Sequence, residues 1–287
     1  VKKLLTVLEA VKLSEEYLRN KGIDEPRANA ELLLADILQC KRLDLYLMFD
    51  KPLSNVEINK YRNYLQRRSK FEPLQYILGY VEFYGLKFNV SKDVLIPRQE
   101  TEILIDEIIN FVEGKKRGLK ILDVGTGSGN ISIVLKKNLN EVDVTGIDVS
   151  DEALKVAKNN AELNGVEEID FFRADVFSSE IFKLGKFDLI VSNPPYVPAE
   201  KVEGLQEEIK NYEPKIAVTD NADGYSFFRR IIEVAQKLLA LNGALFFEIS
   251  EGQENRVKEF FQKAGFVNIK IVKDYNGLSR VAKGEVA

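Results

Sequence analysis

Along residues 1–75 apolar side chains recur every three or four positions. Leu4, Leu8, Val11 and Leu18 fall on one helical face, and Ala30, Leu33, Leu34 and Ile37 on another. Asp24, with Pro26 just beyond it, is expected to cap the second of these helices. Ser54 and Glu57 form a capping box that opens a further helix over Lys60–Lys70. The pattern predicts a small helical bundle. Between Tyr76 and Val90 the period falls to two, and Tyr80 to Phe88 reads as a β-hairpin turning near Gly85. Farther on, short apolar runs at 119–124, 142–148, 169–174 and 187–192 alternate with amphipathic helices such as the one opening at Asp151. That alternation is the pattern of a doubly wound parallel sheet. After a polar stretch over 197–223 come helix 224–240, strand 243–249, helix 252–263, strand 266–273 and a last strand at 278–282. Only Asp274 to Gly277 separate the final two strands, so they must pair antiparallel. The prediction is an α/β, mostly parallel sheet of seven strands finished by one reversed strand. Its domains are a bundle over 1–75, a hairpin linker over 76–90 and the α/β part over 91–287.

The first strand of that sheet runs straight into Asp123-Val124-Gly125-Thr126-Gly127-Ser128-Gly129-Asn130. Glycines let the backbone turn sharply and approach a ligand closely, and the helix that follows offers free N–H groups. The spacing is G-x-G-x-G and differs from the G-x-G-x-x-G of dinucleotide folds, so the glycine that would serve a pyrophosphate is displaced. S-adenosylmethionine, which has no phosphates, is the better candidate. The second strand ends in Asp148, placed to grip two ribose hydroxyls, a role it would fill equally well for NAD. Asp175 and Val176, after the third strand, are expected on the adenine side, although a solvated turn explains Asp175 as well.

The fourth strand ends in Asn193-Pro194-Pro195-Tyr196. In the order 3-2-1-4 the first and fourth strands are neighbours at the switch point, so this tetrapeptide and the glycine loop share one crevice. The Asn193 carboxamide oxygen and the Pro194 carbonyl supply two acceptors on a rigid turn, suited to a planar NH2 group, with Tyr196 as a flat wall. Asn193 therefore faces both the reacting group and the cofactor.

Composition narrows the chemistry. The chain of 287 residues has no histidine, which removes imidazole bases, Ser-His-Asp triads and most zinc sites, and no metal is expected. Cys40 is the single cysteine, so an internal disulfide is impossible and a buried structural thiol is expected. No apolar run is long enough to span a bilayer, and a cytoplasmic monomer with no membrane or direct nucleic-acid requirement is expected. A net charge of −4 argues against a surface devoted to nucleic acid. The basic stretch 60–70 reads as a solvated helix face with its tyrosines turned inward, the alternative being a contact to RNA, a ribosome or an acidic partner.

Four ordered blocks carry a family resemblance: Ile96-Pro97-Arg98-Gln99-Glu100-Thr101, the glycine loop, Asn193 to Tyr196, and Tyr212-Glu213-Pro214. Together with Glu72-Pro73-Leu74 and the hairpin, they make nearly the whole chain resemble the HemK/PrmC methyltransferases. These enzymes act on the glutamine of the Gly-Gly-Gln loop in peptide-chain release factors. The resemblance implies a class I S-adenosylmethionine-dependent fold, a release factor as partner and a bundle that recognises substrate. It also implies catalytic roles for Asn193, Pro194, Pro195 and Tyr196, and a cofactor site made by Gly125, Thr126, Gly127, Ser128, Gly129, Asp148, Asp175, Val176 and Asn193. The block ending in Thr101 would close over the methionine end, with Arg98 facing its carboxylate. The family usually has proline where this chain has Gln99. The same tetrapeptide would also serve a nucleic-acid amino methyltransferase acting on a flipped base, and a cofactor-binding subunit without activity is the non-enzymatic alternative.

Overall fold

The runs of Val, Ile and Leu between residues 119 and 192 form parallel strands because both faces of each strand find apolar cover. In the computed structural model, which describes residues 5–114, 118–166 and 168–287, a hairpin is made by β1 (Tyr80–Phe83) and β2 (Leu86–Asn89). The main sheet contains β3 (Leu119–Val124), β4 (Val142–Asp148), β5 (Ile169–Arg173), β6 (Phe187–Ser192), β7 (Leu239–Glu248), β8 (Val267–Lys273) and β9 (Ser279–Glu285). Their order is β5-β4-β3-β6-β7-β9-β8.

The period-2 alternation of each strand sorts its side chains between two cores. Ile121, Val144, Leu189 and Phe246 face the helices Glu100–Val112, Asn130–Asn138 and Asp151–Leu163. Leu122, Ile190, Leu245 and Phe247 face the helices Ser226–Leu238 and Glu254–Lys263. Burial on both sides is what a parallel sheet requires.

The last strands differ from expectation in one respect. β9 is the reversed strand, but it lies inside the sheet, antiparallel to both β7 and β8, and β8 forms the edge. The apolar β9 residues Val281 and Ala282 are fully buried, whereas β8 is largely exposed, so burial favours placing β9 inside. Asp274 closes the turn between them, its Oδ1 accepting from the Asn276 and Leu278 N–H groups, both at 2.9 Å. β7 starts at Leu239, earlier than expected, because Leu239 pairs with Phe187 before a register shift.

Two units make up the chain: the first runs to Gly79 and takes in Gln206–Tyr212, and the second comprises Tyr80–Leu205 and Glu213–Ala287. The boundary therefore differs from the expected one, because the hairpin is no separate linker. Phe83 and Phe88 are buried in the second unit's core, and Asn160 receives the Asn89 N–H at 2.7 Å while donating to the Asn89 carbonyl at 3.0 Å. Its two-residue turn, Tyr84-Gly85, has φ of 50° and 71°, the type that matches strand twist.

In the first unit, helices Val7–Asn20 and Asn55–Arg68 are opened by capping boxes at Thr6/Glu9 and Ser54/Glu57. Leu18, Leu33, Leu34 and Leu53 are fully buried, each contributing about 1.5–3 kcal/mol. The first helix is rotated from its expected face. Its buried side is Val7, Ala10, Val11, Ser14 and Leu18, which leaves Leu8 exposed, and Leu4 lies outside the described residues. Asp24 is not the cap of helix Pro26–Leu38. Glu25, at φ 48°, precedes Pro26, and Asn29 Nδ2 donates to the carbonyls of Asp24 and Glu25. Cys40 is partly buried against this core, and burial pushes its thiol pKa up.

Of the tyrosines on the basic helix, Tyr61 is buried and donates to the Ala30 carbonyl at 2.8 Å, while Tyr64 is half-buried. Arg68 on that helix is also buried, bonded to Asn29 Oδ1 at 2.7 Å and paired with Glu208 of the 206–212 segment.

Phe228 is fully buried and stacks edge-on against Phe247 with ring centroids 5.0 Å apart. Phe228→Ala is expected to cost about 3–5 kcal/mol of stability in urea unfolding, with an unchanged native far-UV spectrum.

Candidate active site

β3 and β6 are parallel neighbours, with Asp123 opposite Val191, and Ser192 Oγ donates to the Val124 carbonyl at 2.7 Å. Their carboxyl-end loops open on a cavity of about 290 Å³. Gly125, Gly127 and Gly129 line its floor or support it with φ of 75°, 55° and 80°, a region in which any other residue is strained. Gly129 has a second constraint. A Cβ there would lie 3.1 Å from the Ala157 Cβ, so the third glycine packs the loop against helix Asp151–Leu163.

The loop is pinned from below by Asp123, whose Oδ2 accepts from Thr126 Oγ1 and Ser132 Oγ, both at 2.7 Å. Asp123 is fully buried, and burial pushes its pKa up to about 6. Asp148, at the end of β4, accepts from the Gly127 N–H on Oδ2 and from the Ser150 N–H on Oδ1, both at 3.0 Å. Each carboxylate oxygen keeps acceptor capacity toward the cavity it lines.

Asp175 and Val176 also line the cavity. Asp175 Oδ1 accepts from the Phe177 N–H at 2.8 Å, so it closes its own turn while facing the pocket. Arg230, which sequence reasoning missed, holds this loop in place by donating Nε to the Val176 carbonyl at 2.7 Å. Arg98 reaches the wall of the same cavity and pairs with the buried Glu213 at 2.5 Å, so its charge is already shared with a carboxylate. Part of the polar insertion also reaches this wall, through Pro214, Ile216 and Ala217.

Asn193, Pro194 and Pro195 line the cavity; Tyr196 does not. The Tyr196 ring packs against the core on the Phe247 side of the sheet, and its hydroxyl donates to Glu248 Oε1 at 3.3 Å. Burial, with the Glu248 charge adding to it, pushes the Tyr196 hydroxyl pKa well up. Thr101 is buried and donates from Oγ1 to Glu248 Oε2 at 2.5 Å. Asn193 Nδ2 meets that same Oγ1 at a long 3.4 Å.

Glu248 is thus a second residue, after Arg230, that sequence reasoning missed. Its signal was present, since it is the charge that closes the apolar run Ala244-Leu245-Phe246-Phe247 at the same sheet edge as Asn193. The side chain is buried, and desolvation pushes its pKa up to about 7.

A glycine loop after β3, an acid closing β4 and a parallel sheet with one inserted antiparallel strand define an S-adenosylmethionine-type methyltransferase. The methyltransferase domain family matches residues 115–265, and the PrmC N-terminal domain family matches residues 9–79. A release factor glutamine methyltransferase of Fusobacterium nucleatum is 40% identical over 275 residues, 96% of this chain and 77% of that protein. One from Geobacter sulfurreducens is 39% identical over 284 residues, 98% of this chain and 97% of that protein. A solved protein-(glutamine-N5) methyltransferase (release factor-specific) from Alicyclobacillus acidocaldarius is 28% identical, with a TM-score of 0.44 over 69% of this chain and 99% of that one. The chain belongs to the release factor glutamine methyltransferase family. Among the described residues no helix is long and apolar enough to cross a membrane.

The raised pKa of Asp123 has a consequence for stability. An acid that holds its proton more tightly when folded stabilises fully below its unfolded pKa, and that contribution is lost as pH rises through the folded value. For Asp123 the window runs from 3.8 to about 6. Asp123→Asn should therefore gain stability relative to the wild type as pH rises through that window, then hold a constant difference above it. Urea unfolding at a series of pH values measures this.

Proposed function

We propose that this chain transfers a methyl group from S-adenosylmethionine to the side-chain amide nitrogen of the glutamine in the Gly-Gly-Gln loop of peptide-chain release factors. The observation that carries the reading is the placement of Asn193 and Pro194 on the same cavity as the glycine loop and Asp148.

The residues present fit the cofactor. Asp148 offers acceptors for two ribose hydroxyls, and Asp175 and Val176 flank the adenine end. Arg98, beside Thr101, faces the methionine carboxylate while held by Glu213. When bound, the cofactor supplies an electrophilic methyl group on a sulfonium.

What the chain's own groups do follows from the chemistry of an amide. Its nitrogen lone pair is delocalised, so the rate must come from alignment and electrostatics. Asn193 Oδ1 and the Pro194 carbonyl accept the two hydrogens of the NH2 group and set the direction of its lone pair. Holding the reacting atoms in line supplies on the order of 7–11 kcal/mol in favourable systems. Both acceptors bond more strongly as positive charge develops on nitrogen, so they favour the transition state over the ground state. The excess proton passes to water after transfer, and no histidine is needed. The first unit is assigned recognition of the release factor, in the cytoplasm where that partner acts.

Asn193→Ala should leave cofactor affinity within about threefold while lowering kcat by about tenfold or more, as expected for loss of a transition-state hydrogen bond. The test uses cofactor carrying a tritiated methyl group, offered with a release factor, the same factor with its loop glutamine changed to glutamate, and total RNA. Label on the first alone supports the assignment. Label on RNA but not on the release factor would overturn it.

A further inference from the structure

The parallel register that puts Ser192 opposite Phe247 brings the next residues of the two strands, Asn193 and Glu248, level with each other at the sheet edge. Thr101, from the first turn of helix Glu100–Val112, sits between them. A hydroxyl has a single proton. Thr101 gives its proton to Glu248 Oε2 at 2.5 Å, so only its lone pairs face Asn193. The carboxamide must then turn Nδ2 toward Thr101, as observed at 3.4 Å, which leaves Oδ1 on the opposite edge. Among the described residues no protein group donates to Asn193 Oδ1.

We propose that Glu248 is a positioning residue that, acting through Thr101, fixes which edge of the Asn193 carboxamide faces the substrate and so restricts the site to a nitrogen that carries hydrogens. The inference rests on the methyl-transfer reading above and deepens it. An ionised carboxylate only accepts, so it gives the chain Asn193 Nδ2–H to Thr101 Oγ1–H to Glu248 a single direction. A neutral Glu248 gains a donor. Thr101 can then accept from Glu248 and donate to Asn193 Oδ1, and the rotated carboxamide presents NH2 to a substrate NH2, donor against donor. Tyr196 donates to the other Glu248 oxygen at 3.3 Å and ties the carboxylate to the tetrapeptide's far end.

The charges facing Glu248 act in opposite directions. Glu100, from Thr101's own helix, disfavours ionisation, whereas Arg280 on β9 favours it while paired with Asp274 at 2.8 Å and reaching Glu100 at 3.8 Å. Arg98 acts on the Tyr196 hydroxyl from the neighbouring loop. With burial dominant, Glu248 changes charge at about pH 7.

The test compares wild type, Glu248→Gln, Thr101→Val and Thr101→Ser at saturating cofactor, with a release factor as substrate, from about pH 6 to about pH 9. The wild-type kcat should rise through about pH 7 to a plateau. Glu248→Gln and Thr101→Val should lose that rise and turn over about tenfold or more slowly on the plateau, with the cofactor KM of Glu248→Gln within about threefold. Thr101→Ser, which keeps the hydroxyl, should restore both the rate and the pH profile. A second readout needs no turnover: the Asn193 side-chain NH2 resonances of the nitrogen-15-labelled protein should shift with pH in the wild type, and not in Glu248→Gln. Glu248→Gln or Thr101→Val with wild-type kcat and an intact acid limb would overturn the inference. So would Asn193 resonances that titrate identically in wild type and Glu248→Gln. A wild-type enzyme inactive on the release factor would instead sink the substrate reading, and the resonances would still decide the role of Glu248.

Discussion

The site depends on the parallel pairing of β3 with β6. That pairing puts the end of the strand that enters the glycine loop beside the end of the strand that enters Asn193-Pro194-Pro195-Tyr196. The Ser192 hydroxyl fastens the two ends through the Val124 carbonyl, and full burial on both sheet faces leaves no freedom to slip register. A one-residue shift would move Asn193 away from the cavity and reverse which side chains reach each core.

From this fixed edge the division of labour follows. On the proposed reading one side of the crevice receives a nucleoside and an amino acid tail, through glycines that bring the backbone close and an acid that accepts from the Gly127 N–H of the same loop. The other side is built from acceptors. A chain without histidine has no imidazole to remove a proton, and an amide nitrogen gives such a base little to do before methyl transfer. Orientation carries the reaction, so the residues that hold Asn193 matter as much as Asn193. Thr101 and Glu248 are buried, so their hydrogen bond is shielded from water and keeps its geometry, while the same burial raises the Glu248 pKa to about 7 and ties the direction of that bond to its charge.

Much of this was legible in the sequence. The alternation of strands and helices and the hairpin's turn at Gly85 follow from period and turn residues, all local signals, and the shared crevice follows from the common 3-2-1-4 order of the first four strands. The glycine loop and the tetrapeptide announce themselves because their chemistry demands unusual residues at adjacent positions. Other features were hidden because they are decided by pairs far apart in the chain. β9 enters between β7 and β8 because its side chains need more cover than those of β8, and no local pattern compares two strands. Asp24 caps nothing, because Glu25 takes the N-cap position and the carbonyls of both residues are held by Asn29, whose own amide is held by Arg68, nearly forty residues away. Glu248 reads as an ordinary strand end until Thr101 and Tyr196 arrive from other elements to claim its two oxygens. Tyr196, expected as a wall of the site, is drawn toward the core by the same carboxylate.

The central claim is that a substrate amide is held by its two hydrogens at Asn193 Oδ1 and the Pro194 carbonyl, with its nitrogen facing the cofactor. The most direct measurement is a crystal structure of the enzyme with S-adenosylhomocysteine and a release factor, which leaves the site intact and the reaction stalled. The account predicts the glutamine amide nitrogen at about 3 Å from both acceptors, with the cofactor sulfur out of the amide plane on the line of the nitrogen lone pair. A glutamine amide bound by its oxygen to Asn193, or lodged outside the crevice between the β3 and β6 loops, would contradict it.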